Sequence, residues 1–212
     1  MSKVLMLLSY SHKFIFIHVY KVAGMSIKKS LEEYAKRPVM RRFLRAIRLG
    51  SKVPYYRWKT FPSHIKAEDL RKELPEKIYS NFYKFAFVRN PWEWQVSLYH
   101  HMLQQKTHFQ HTLIKSMKNF DEYIVWRVNE DKVLQKEFVT DSAGKMIVDF
   151  VGKFELLTKD FHHVCNVLNI NASLPHINKS SHMHYQSYYN AETRRLVEEN
   201  FSEDIELFDY AF

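Results

Sequence analysis

Two short stretches of the chain group residue types that bind anions. The first is Tyr20-Lys-Val-Ala-Gly-Met-Ser26. Lys21 supplies a mobile positive charge, Gly24 lets backbone approach a ligand closely, and Ser26 offers a hydroxyl. Where such a stretch opens a helix, unpaired backbone N–H groups and the helix dipole favour an anion. A Walker loop carries its Lys after its glycines, whereas Lys21 precedes Gly24, so ordinary kinase or NTPase chemistry loses support. The second stretch is Phe87-Val-Arg-Asn-Pro-Trp-Glu-Trp-Gln-Val-Ser-Leu-Tyr99. The forked guanidinium of Arg89 and the hydroxyl of Ser97 make a clamp for a terminal phosphate. Taken singly, each stretch has a plainer reading: a β–α turn whose lysine faces water, and an Arg–carboxylate bridge at a strand end with Ser97 an ordinary helix residue.

Holding these residues in place requires strands and helices in a set order. Residues 14–19 (Phe-Ile-Phe-Ile-His-Val) form a nearly continuous apolar run, which predicts a strand buried on both faces. Ile27, Leu31 and Tyr34 then fall on one helical stripe. Strand, glycine-bearing turn and helix open a nucleotide-binding α/β unit. Tyr83–Val88 predicts a second buried strand, with Arg89 leaving it at the usual ligand edge of an open α/β sheet. Asn90 as cap, Pro91 at the first helical position and Glu93 at the capping-box position predict a helix that continues through Leu103. Further helices are predicted at 67–73, 119–129, 159–169 and 191–201, with a turn at Asp141-Ser-Ala-Gly144.

The 212 residues, 46% hydrophobic and 26% charged, predict a single globular domain over 1–212 and exclude wholesale disorder. No internal repeat or linker interrupts them. The 32 basic and 23 acidic residues give a net charge of +9, which favours an anionic partner. Cys165 is the single cysteine, so neither an internal disulfide nor a cysteine zinc site is expected. The apolar run at 4–8 is short for a signal-peptide core, and no stretch approaches the about 18 apolar residues of a spanning helix. These features predict a soluble protein of a reducing compartment. A basic nucleic-acid-binding domain would share the charge and the many aromatics, but no helix-turn-helix, RNA-recognition or zinc-finger motif accompanies them.

In combination the two stretches resemble the sulfotransferases of the carbohydrate type, which use 3′-phosphoadenosine 5′-phosphosulfate (PAPS). Their first signature, Lys-Thr-[Ala/Gly]-Gly-Thr-Ser after a strand, is similar to Lys21-Val-Ala-Gly-Met-Ser26. Their second, Val-Arg-Asn-Pro-[Trp/Tyr]-[Asp/Glu]-Arg-x-Val-Ser-x-Tyr, is similar to the stretch ending at Tyr99. Residues 147–155, 174–180 and 204–212 look like three further landmarks, all in family order. The resemblance spans residues 14 to 212. It implies a three-layer α/β/α fold with a mostly parallel central sheet, like that of P-loop NTPases, and the donor at the C-terminal strand edge.

The resemblance also implies roles. Lys21, Val22, Ala23, Gly24, Met25 and Ser26 would wrap the 5′-phosphosulfate, with Lys21 on the bridging oxygen. Arg89 and Ser97 would hold the 3′-phosphate, and Lys179 and Ser180 would lie in a loop that closes near it. His64 is the candidate base, since the family commonly carries a His before the second signature; His18 or a carboxylate is the alternative. No metal is expected, because the sulfuryl group carries fewer charges than a phosphoryl group and a cationic side chain suffices. Val22 and Met25 replace threonines, and Trp94 stands where Arg is common, which leaves room for a donor-binding homologue without turnover. The implied acceptor is a hydroxyl on a saccharide or glycolipid, with no nucleic-acid partner. Arg41, Arg45 and Arg48 on one helical face suit an anionic glycan or peripheral membrane contact, or a solvated face. Golgi relatives carry an anchor and disulfides that this sequence does not show, so a bacterial-type cytoplasmic enzyme is expected.

Overall fold

The computed structural model describes residues 6–35, 61–175 and 183–212. The Arg-rich segment 41–48 and the pair Lys179 and Ser180 lie outside them.

Strands form where the apolar runs are. β1 (Leu7–Ser9) pairs antiparallel with β2 (Phe14–Ile17), Leu7 opposite Phe16 and Ser9 opposite Phe14. β3 (Tyr83–Val88) runs parallel to β2 in the register Phe14↔Tyr83 to Ile17↔Ala86. β4 (Phe150–Lys153) completes the order β1-β2-β3-β4. All four residues of β2 are fully buried, the environment that an unbroken Phe-Ile-Phe-Ile run requires. The α/β class holds, with a parallel pair at the centre. The edge strand β1 takes the last two residues of the apolar run at 4–8, which sequence reading weighed only as a candidate leader, together with Ser9.

Several helices follow the predicted stripes and caps, while Glu76–Asn81, His111–Ser116 and Ser202–Leu207 are not among those predicted. α1 (Gly24–Leu31) buries Gly24, Ile27 and Leu31, while Tyr34 falls in a short 3₁₀ turn at Glu33–Ala35. α2 (Ala67–Glu73) has the predicted bounds, and α3 (Glu76–Asn81), not predicted, starts immediately after Pro75. In α4 (Pro91–Gln104) the Asn90 side chain accepts the N–H groups of Trp92 and Glu93. α5 (His111–Ser116) precedes α6 (Phe120–Glu130), whose cap is Asn119. α7 (Leu157–Leu168) ends on left-handed Asn169. α8 (Ala191–Asn200) opens with a reciprocal Asn190–Thr193 capping box, and α9 (Ser202–Leu207) follows it.

Close contacts divide the chain into two compact units. The first, Met1–Phe87, Phe138–Gly152 and Leu156–Ile177, carries the sheet up to the last residue of β3 and of β4, with α1–α3 and α7. Its core stacks Phe16 on Phe85 at 5.2 Å. Lys84 is buried there at 6% exposure, and its ammonium is satisfied by the carbonyls of Tyr79 and Phe82 and by the Asp149 carboxylate at 2.8 Å. The second unit, Val88–Glu137, Lys153–Glu155 and Asn178–Phe212, carries α4–α6, α8 and α9. Trp94 is fully buried in it, edge-on to Phe201 at 6.4 Å, with the Arg127 guanidinium 5.8 Å over its ring. The Arg-to-Trp departure is thus a core aromatic.

Gly152 of β4 is a close-approach position: an added Cβ would lie 2.5 Å from Phe87 Cε1 and 3.0 Å from Asp160 Cβ. Gly152→Ala is expected to destabilise the protein by about 1–3 kcal/mol through overpacking. Denaturant unfolding checks this; an unchanged midpoint would mean that β4 moves aside freely.

Candidate functional site

In the first unit β2 leads within a few residues into the loop 20–23 and then α1. Lys21 (φ 63°) and Ala23 (φ 60°, ψ 19°) both adopt the left-handed conformation, which costs a non-glycine residue about 1–2 kcal/mol. Between them Val22 is fully buried and pins the loop to the core. This explains one departure from the family pattern: Val22 is the β-branched isostere of threonine turned inward. Met25, the other departure, is 63% exposed. The Ala23 carbonyl accepts the N–H groups of Ser26 and Ile27 at 2.9 and 3.1 Å. No side chain caps α1, and its first turn contains no acidic residue. Both features keep the N-terminus suited to an anion.

A histidine pair stands beside this loop. His64 Nδ1 donates to the His18 carbonyl at 2.8 Å, which fixes the neutral tautomer with Nε2 as the acceptor. The two rings lie 4.5 Å apart, and Tyr20 meets His64 edge-on at 5.8 Å. His64 keeps an exposed edge, yet the desolvation caused by its neighbours lowers its pKa; the carbonyl bond opposes this and the Lys28 charge adds to it. His18 is buried, and desolvation, then His64 and Lys28, lower its pKa to about 3. Its Nδ1 lies 3.1 Å from Ser63 Oγ. The structure therefore brings the predicted base, His64, together with the loop, through a residue that sequence reading weighed only as an alternative base.

The second unit contains Arg89 and Ser97, both buried. Arg89 Nη2 pairs with Glu93 Oε1 at 2.8 Å, and its guanidinium lies 4.0 Å from the Phe154 ring centroid. The Arg–carboxylate bridge of the plainer reading is present, and Glu93 and Ser97, four residues apart, share one face of α4. The backbone of Arg89 is bracketed by Gln135, whose Oε1 accepts its N–H at 2.9 Å and whose Nε2 donates to its carbonyl at 2.7 Å. Gln135 is held in turn by Asp204, which accepts the N–H groups of Gln135 and Lys136, each at 2.8 Å. Three family landmarks meet at Asn90: Glu155 accepts its N–H at 2.7 Å, its side-chain amide donates to the Ala211 carbonyl at 2.7 Å, and the Tyr210 hydroxyl donates to Glu155 at 3.0 Å. Sequence reading singled out the landmark stretches holding Phe154, Glu155 and Asp204, though not these residues. Gln135 carried no signal at all.

Two buried groups set opposite pH trends. Burial raises the Asp204 carboxyl to about 6, against the pull of its two backbone N–H donors. His18 holds fewer protons folded than unfolded, so its contribution is complete above pH 6.5 and is lost as pH falls toward about 3. Asp204 holds more protons folded, so its contribution is complete below pH 3.8 and is lost as pH rises through about 6. In denaturant melts across this window, His18→Ala is expected to flatten the rise of stability with pH and Asp204→Asn to steepen it. Parallel curves for the wild type and both variants would show that neither group titrates this way.

The profile of the sulfotransferase family matches residues 5–211. No curated protein matches the chain significantly. Among solved structures, that of mouse sulfotransferase SULT7A1 complexed with PAP is similar over 97% of this chain and 91% of the mouse one, at 13% identity and a TM-score of 0.57. That is a likeness of fold. With the family's pattern running through nearly every element described above, the chain belongs to the sulfotransferase family.

Proposed function

We propose that the chain, acting as one sulfotransferase domain over residues 1–212, moves the sulfuryl group of PAPS to an acceptor hydroxyl. The observation that carries this reading is the conjunction, within one unit, of an uncapped strand–loop–helix cradle and a neutral imidazole whose Nε2 is left as acceptor. PAPS supplies the sulfuryl group: the acceptor oxygen–sulfur bond forms as the bond to the bridging oxygen breaks, and PAP departs with that electron pair. The backbone of 21–26 and the Ser26 hydroxyl bind the phosphosulfate. The Lys21 ammonium stabilises the charge that develops on the leaving oxygen. Nε2 of His64 takes the proton of the acceptor hydroxyl, and desolvation by its neighbours lowers its pKa, which favours the neutral form that a base requires.

Arg89 and Ser97 take the 3′-phosphate, with the phosphate competing against Glu93 for the guanidinium. Lys179 and Ser180, which lie outside the described residues, are carried over from the resemblance as further partners of that phosphate. The mouse enzyme of similar fold is complexed with PAP, which supports the choice of donor. The signature around Lys21 and Arg89, similar to the carbohydrate type, favours a saccharide or glycolipid hydroxyl, and the free, buried Cys165 suits a cytoplasmic enzyme. Among the described residues no helix is long and apolar enough to cross a membrane.

Calorimetric titration with adenosine 3′,5′-bisphosphate and with AMP is expected to show clear preference for the first. Arg89→Lys keeps the charge and loses the fork, so it should lower that preference while AMP binding stays as it was. Equal loss for both ligands would remove Arg89 from the 3′-phosphate. Lys21→Ala is expected to lower turnover about 10²–10³-fold, with the thermal midpoint unchanged because Ala tolerates the left-handed position as Lys does. Retained turnover would overturn the role of Lys21.

A further inference from the structure

We propose that His18 is a positioning residue that clamps the donor loop and the base His64 into one rigid piece. This rests on the reading of His64 as the base, and it explains why residue 24 is glycine. His18 follows β2 directly, and its ring stacks on Phe16 at 5.5 Å. An added Cβ on Gly24 would lie 1.7 Å from His18 Nε2, 2.0 Å from Cδ2 and 2.7 Å from Cε1. The imidazole therefore fills the space that any other side chain at position 24 would need. Gly24 is not among the residues with positive φ; the left-handed positions of the loop are Lys21 and Ala23. Neither backbone conformation nor an approaching phosphate is needed to account for glycine here, since the ring by itself excludes a side chain.

The same residue grips the base from two sides. Its carbonyl accepts His64 Nδ1–H at 2.8 Å, which holds Nε2 as the lone-pair nitrogen. Its Nδ1 lies 3.1 Å from the Oγ of Ser63, the residue before the base. Lys28 Nζ of α1 donates to that same Oγ at 3.5 Å, which leaves the Ser63 hydroxyl proton available to His18 Nδ1; in that tautomer His18 carries its own proton on Nε2, facing Gly24. This arrangement needs a neutral His18, and the lowered pKa of the buried ring agrees with it. One side chain thus touches the first residue of α1, the segment carrying the base and, through Ser63, the lysine one helical turn further along. A shift in His18 moves loop and base together, and misplacement of about 1 Å costs on the order of 10²-fold in rate.

A size-swap cycle tests the clamp. PAP affinity is measured calorimetrically for wild type, Gly24→Ala, His18→Ala and the double variant, with thermal midpoints alongside. Gly24→Ala is expected to weaken PAP binding about tenfold or more, and the double variant to recover to the level of His18→Ala, because the methyl then enters the vacated ring space. If Gly24→Ala binds like the wild type, or loses binding equally with and without His18, the proposal is overturned. Should Gly24→Ala fail to fold, Ser63→Ala removes the Nδ1 partner without a steric change. It should lower kcat about tenfold with PAP affinity and KM held, a split that loosened packing by itself does not produce. Unchanged kcat in that variant would likewise overturn the proposal. If the wild type shows no preference for PAP over AMP, the functional reading fails; if it does prefer PAP but positions 18 and 24 do not couple, the clamp fails and that reading stands.

Discussion

Parallel pairing of β2 with β3 is the constraint on which the rest depends. The register Phe14↔Tyr83 to Ile17↔Ala86 aligns the two strands side by side in the same direction, so the chain leaves β2 for Lys21 at the end toward which β3 also runs. Parallel strands of this kind require both faces to be covered, and the four fully buried residues of β2 meet the requirement. The loop after β2 then has to turn within a few residues into α1, which forces Lys21 and Ala23 into left-handed backbone. Burial of Val22 between them, a contribution of about 1.5–3 kcal/mol, offsets that strain. The core holds the cradle open.

Charge and neutrality are separated in a chemically consistent way. Arg89 is buried with its guanidinium against Glu93 and the face of Phe154, while Gln135, held in turn by Asp204, braces its backbone. A guanidinium held in this way loses little freedom on meeting a phosphate. The histidines beside the loop are treated oppositely. Burial, mutual proximity and Lys28 all disfavour imidazolium at His18, and the carbonyl that its backbone presents fixes which nitrogen of His64 is free. A base must be unprotonated before it acts, whereas an anion clamp must be charged before it binds.

Much of this was legible in the sequence where the deciding forces are local. The run at 14–19, the bounds of α2 and β3, and the Asn90–Pro91 start of α4 depend on neighbours a few residues away: apolar periodicity, a cap side chain and a proline with φ already set. The two signatures lie on these local elements, so residue type and spacing sufficed to place the loop after a strand and Arg89 at a strand end. The edge strand β1 was not legible, because a stretch as short as Leu-Leu-Ser becomes a strand only when a partner such as β2 is supplied.

The sequence by itself therefore determined the α/β order, the starts of α2, α4 and α8 and the residues of both signatures. Tertiary structure decided what those residues touch. His18 reaches His64 across 46 positions, Arg89 reaches Gln135 across 46, and Gln135 reaches Asp204 across 69. No periodicity or capping rule spans such separations, since they are closed by the packing of the whole core. For the same reason Gly24 read as an opening for phosphate in the sequence and stands in the fold as the space occupied by the His18 ring.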